Sequence, residues 1–112
     1  MANDITVQIL GTPYTFREAT SDEDEHLLNC DGYCDKTTKE IVVRTDISGD
    51  LGDFQAYRKK VIRHEILHAF LFESGLHENW EHKQWGHEET TIDWIAIQFP
   101  KILKVYNELG CL

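Results

Sequence analysis

Positive charge is scarce in this chain: 11 Lys and Arg stand against 20 Asp and Glu, for a formal net charge of −9. Together with the acidic cluster Asp22-Glu23-Asp24-Glu25, this balance repels phosphates and acidic lipid headgroups. Neither nucleic acid nor a membrane surface is an expected partner. Cysteine is also sparse, and the odd set Cys30, Cys34 and Cys111 argues against a disulfide framework and for free thiols in a reducing compartment. No apolar run is long enough to span a bilayer, and Met1-Ala2-Asn3-Asp4 has neither the basic nor the apolar region of a secretory signal. A cytoplasmic setting is the expectation. Internal repeats and low-complexity tracts are absent as well, and 112 residues at 41% hydrophobic content suit a single domain over residues 1–112.

The N-terminal half reads as strands. Ile5, Val7 and Ile9 alternate with polar neighbours, and Gly11-Thr12-Pro13 turns the chain into Tyr14-Thr15-Phe16-Arg17, which predicts a hairpin. The stretch from Ala19 to Glu40 is polar and turn-rich, with a short strand expected near Tyr33. Ile41-Val42-Val43-Arg44-Thr45 is the strongest β-branched run, compatible with an edge strand open to a pairing peptide or with a buried central strand.

Between Asp53 and Ser74 no Gly or Pro intervenes, Asp53 suits an N-cap and Gly75 a C-cap, so a long helix is expected. At 100° per residue Phe54, Tyr57, Val61, His64, Glu65, His68 and Phe72 share one arc, read as the inward face. A loop with Trp80 and Trp85, expected to pack over the helices, leads to a second helix from about His87 to Glu108. On that helix Ile92, Ala96, Phe99, Leu103 and Tyr106 form the expected apolar stripe, and Pro100 should kink it. The predicted fold is α+β, a three- or four-stranded sheet followed by two packed helices.

Chemistry concentrates in His64-Glu65-Ile66-Leu67-His68. Helical residues four apart project from one face, so His64 and His68 can offer two imidazole nitrogens to one tetrahedral Zn²⁺. Glu65, rotated about 100° from His64, stays off the metal but near its open position, where it can take a proton from a bound water. A catalytic zinc needs a third protein ligand. Leu71 and Ser74 occupy the positions where a metzincin carries Gly and His, which removes that arrangement. Downstream, Glu89-Thr90-Thr91-Ile92-Asp93 forms an E-x-x-x-D pattern on the second helix.

On these two motifs the chain resembles the gluzincins, whose third ligand is a glutamate on a downstream helix and whose following aspartate orients a ligand histidine. It looks especially like minimal gluzincin domains and small phage- or prophage-borne proteins, with ImmA/IrrE-type peptidases as more distant relatives. The resemblance implies a zincin-like metallopeptidase acting on a peptide or protein, with His64, His68 and Glu89 as zinc ligands, Glu65 as general base and Asp93 as hydrogen-bond partner of a ligand imidazole. Glu88 and His87 are rivals for the third ligand, since helix starts shift by a residue or two. An oxyanion donor has several candidates, His77, His82, His87, Tyr57 and Tyr106. His26, Cys30 and Cys34 recur every fourth residue, but Asp31-Gly32 breaks any helix that would align them into a second zinc site. The alternative to a peptidase is a non-catalytic, zinc-stabilised regulatory module of phage or prophage origin. In a third possibility, an autoinhibited peptidase, a cysteine or histidine of the chain caps the zinc.

Overall fold

A computed structural model describes residues 4–46, 52–75 and 89–112, with the side chains of Glu89, Thr90 and Ile92 outside the description. The fold is α+β, a mixed four-stranded sheet with two helices. Strands β1 (Ile5–Ile9) and β2 (Thr12–Ala19) form the predicted antiparallel hairpin, with Ile9 opposite Thr12. Its turn is Leu10-Gly11, both at positive φ (51° and 89°), so Thr12 and Pro13 already belong to the strand rather than to the turn. Two positive-φ residues follow the right-handed twist of a two-residue hairpin, and Gly11 meets that demand without a Cβ clash.

A 3-10 turn at Glu25–Leu28, capped by the Asp24 carboxylate on the His26 amide, then leads into β3 (Gly32–Asp35). Strand β4 (Glu40–Arg44) returns antiparallel to β3, with Cys34 opposite Ile41, and lies parallel to β2, with Phe16 opposite Ile41. The sheet order is β1-β2-β4-β3. Of the two placements open to the β-branched run, the structure takes the central one: Ile41, Val42 and Val43 are fully buried, and β3 is the edge.

Helix α1 (Phe54–Ser74) begins and ends as its sequence predicts, with the Asp53 side chain accepting from the Ala56 amide and Gly75 closing the helix at φ 80°. Helix α2 (Glu89–Glu108) packs antiparallel to it: the Trp94 indole donates to Ser74 Oγ at 3.2 Å, and Arg63 reaches the Cys111 carbonyl at 2.8 Å. Pro100 lies inside α2, and both Pro100 and Ala96 are exposed, so water can serve the Ala96 carbonyl that lacks a proline N–H. Among the described residues no helix is long and apolar enough to cross a membrane.

Both helices bury faces other than those expected. In α1 the core takes Val61, Ile62, Glu65, Ile66, Ala69 and Phe70, an arc turned roughly 90° from the predicted one, so His64 and His68 stand exposed at its margin. In α2 Tyr106 of the predicted stripe is buried together with Ile102 and Val105, whereas Ala96 and Phe99 of that stripe face solvent. Apolar residues occur on nearly every side of α2, so periodicity alone chose the wrong face. The main core joins Val7, Ile9, Tyr14 and Phe16 of the hairpin to Ile66 and Phe70 of α1 and Val105 of α2.

Ile66 is fully buried where the sheet and α1 meet. Ile66→Ala should therefore cost about 2–5 kcal/mol of unfolding free energy in urea titrations. A loss well under 1 kcal/mol would contradict this placement of α1.

Candidate metal-binding site

Helical geometry brings His64 and His68 together. Their Nε2 atoms are 3.1 Å apart, with ring centroids at 4.8 Å and planes at 72°. Beyond them the His68 ring stacks on Phe72, with centroids at 6.1 Å. Although both histidines reach solvent, the protein packed beneath His68 and then the neighbouring His64 imidazole hold its pKa below the ordinary histidine value. A neutral His68 keeps a ring lone pair free for a metal.

Two imidazoles can face each other at this distance as a donor–acceptor pair or as two lone pairs aimed at one cation. A cation bonded to both nitrogens at the zinc–imidazole length of about 2.0–2.1 Å would subtend about 100° across the 3.1 Å gap, within the tetrahedral range. The histidine pair therefore fits zinc as two of its ligands.

Glu65 differs from its neighbours. It is only 7% exposed, and among the described residues it has no hydrogen-bond or ion-pair partner. Burial pushes its carboxyl from the usual 4.5 to about 7. The cause is the close approach of β3, which crosses α1 at Gly32. A Cβ on that glycine would stand 3.0 Å from Val61 Cγ1 and 3.4 Å from Glu65 Cγ. Beside the carboxylate lies a cavity of about 170 Å³ lined by Asp31, Gly32, Tyr57, Lys60, His64 and Glu65. Tyr57 donates its hydroxyl to Asp31 Oδ2, tying the helix to the strand entry.

The structure brings His64, Glu65 and His68 together but not Asp93. That residue is exposed on α2. Its neighbour Trp94 contacts Ser74, six residues beyond His68 and so about 9 Å along the α1 axis. Glu89 opens α2 a further turn away, and its side chain is outside the described residues. The rivals Glu88 and His87, and also His77, His82, Trp80 and Trp85, lie outside them too. Among the described residues no set of three His, Cys, Asp or Glu side chains converges on a metal position.

Of the two tyrosines considered as donors, Tyr57 lines the cavity, whereas Tyr106 is buried on another side of α1 with its hydroxyl 3.5 Å from the Arg63 carbonyl. Cys30 donates to the His26 carbonyl at 3.2 Å, and burial pushes the Cys34 thiol up to about 12, which disfavours the thiolate a metal requires. Asp31 and Lys60 also line the cavity, and neither belongs to a sequence motif for a site. The one local signal was Asp31-Gly32, a glycine that marks close backbone approach as well as a turn.

Comparison of this chain with protein-family models, with curated proteins and with solved structures finds no match.

Because the folded-state pKa of Glu65 is raised, the folded protein holds a proton that the unfolded chain has lost between about pH 4.5 and 7. Stability from this group is therefore present below that window and falls as pH rises through it. In metal-free protein, Glu65→Gln should match wild type near pH 4 and exceed it at pH 8 by up to about 3 kcal/mol. Parallel stability profiles across that range would contradict the burial of an unpartnered carboxylate.

Proposed function

We propose that this chain is a zinc-dependent metalloendopeptidase of gluzincin, zincin-like type. The observation that carries the reading is the His64–His68 nitrogen pair, 3.1 Å apart, next to a buried carboxyl poised near neutral pH. His64 and His68 hold the metal, and Glu89 is assigned as third ligand, which requires the first turn of α2 to draw toward His68. Asp93, exposed on α2, is assigned as hydrogen-bond partner of a ligand imidazole, which requires the same movement.

Zinc, when bound, supplies a Lewis acid that polarises a carbonyl and acidifies water. The protein's own part is proton transfer and placement. Glu65 accepts a proton from the attacking water and passes it to the leaving amine, the general acid–base role open to a carboxyl beside the histidine pair. The outer edge of β3 runs beside α1 and has no strand partner among the described residues, so an extended peptide could pair with it. Three free thiols suit a reducing compartment, and the activity is accordingly assigned to the cytoplasm.

A second reading, a non-catalytic zinc-stabilised regulatory module of phage or prophage origin, draws support from the exposed apolar side chains Leu67, Ile95, Ile97 and Phe99, the kind of surface a protein partner covers. Metal analysis and peptide-library cleavage separate the two. The peptidase should bind about one zinc per chain, lose it in the His64→Ala/His68→Ala double variant, and cleave peptides at a rate that Glu65→Gln reduces by about 10²–10⁴-fold while zinc is retained. Zinc-loaded protein without turnover would support the binding module, and zinc content unchanged by the double variant would overturn both readings.

A further inference from the structure

The cavity beside Glu65 is lined by one cation, Lys60, for which the described residues offer no anionic partner. Among the described residues, the basic side chains of α1 have protein oxygen partners with that one exception. Arg58 pairs with Glu18, Lys59 reaches the Leu112 carbonyl at 3.4 Å, and Arg63 reaches the Cys111 carbonyl at 2.8 Å. Lys60 instead stands over the Tyr57 ring, its Nζ 5.7 Å from the centroid. Elsewhere Arg17 meets Asp24 and Glu40, Lys39 meets Glu73, and Arg44 meets Asp46, while Lys36 stands over the Phe72 ring. In a chain of net charge −9, a cavity-lining cation without an anionic partner among the described residues is a notable position.

Lys60 is also held in place. Its aromatic platform Tyr57 is fixed by the hydrogen bond to Asp31, which occupies one oxygen of the carboxylate that would otherwise compete for the ammonium. The other carboxylate of the cavity, Glu65, is buried, whereas Lys60 is exposed, so a group entering from solvent meets the ammonium first. Gly32, where β3 begins, lines the cavity, so a peptide laid along the outer edge of that strand would run beside it.

We propose that the cavity between Tyr57 and Glu65 is a subsite for a carboxylate of the bound peptide, with Lys60 as its specificity-determining residue. The carboxylate comes from an acidic side chain or from the peptide C-terminus. Naming a peptide as its carrier rests on the peptidase reading, so the test reads binding rather than turnover.

Four fluorescein-labelled octapeptides serve as probes: one with internal Glu and an amidated end, one neutral with a free C-terminal carboxylate, one neutral and amidated, and one with internal Lys and an amidated end. Fluorescence anisotropy against wild-type protein at low salt should show one of the first two binding about fivefold tighter than the neutral amidated peptide, and which of them does so identifies the source of the carboxylate. That preference should disappear in Lys60→Met, shift toward the lysine peptide in Lys60→Glu, and shrink at high salt. Lys60 is exposed, so both variants should fold, which circular dichroism checks. Equal binding of all four peptides, a lysine preference in wild type, or a preference unchanged in Lys60→Met would overturn the subsite. A protein that cleaves peptides without acidic preference refutes the subsite alone, whereas selective binding without cleavage refutes the peptidase alone.

Discussion

At Gly32 the backbone of β3 comes so near α1 that any added Cβ would stand 3.0 Å from both the Val42 carbonyl and Val61 Cγ1. The site is arranged around that contact. It closes the sheet's edge strand over the helix, removes Glu65 from water and brings Asp31 to the Tyr57 hydroxyl. It leaves His64, which lines the resulting cleft, and its neighbour His68 facing solvent one step around the helix. A larger residue would force the strand outward, so the same glycine that allows dense packing also sets the width of the cavity.

Such an arrangement has a thermodynamic cost. A carboxyl group without a described partner, buried between strand and helix, destabilises the fold whenever it is ionised. The rest of the domain offsets this with an apolar core shared by the hairpin, α1 and α2, and with ion pairs that tie sequence-distant segments together. Glu73, for example, accepts from both the Tyr14 hydroxyl and the Lys39 ammonium at 2.7 Å, joining the end of α1 to β2 and to the β3–β4 turn. A group poorly suited to stability but well suited to proton transfer is what a catalytic position would show.

What could be read in advance was local. Asp53 and Gly75 marked the ends of α1 because capping depends on residues within a turn, and His64, Glu65 and His68 shared a helix because their spacing is helical. Ile41 to Val43 announced β4 through β-branching alone. Strand β3 was faint, since Gly-Tyr-Cys-Asp is short and polar and becomes a strand by pairing with β4. The α1 face differs from the expected one because the helix serves two surfaces, with Ile62, Ile66 and Ala69 in the core and Tyr57 and His64 toward the cleft. Asp31 and Lys60 escaped notice for a related reason: they are brought together by the contact between strand and helix, which no local pattern encodes.

The central claim is that the α1 histidine pair is a metal-binding unit. Zinc K-edge X-ray absorption on the zinc-loaded protein examines it directly. Two imidazole nitrogens at about 2.0–2.1 Å, with the outer-shell scattering of histidine rings, are the predicted result, completed by oxygen or nitrogen donors to a coordination number of about four. A first shell of oxygen donors without imidazole scattering, or one built of sulfur, would contradict the account.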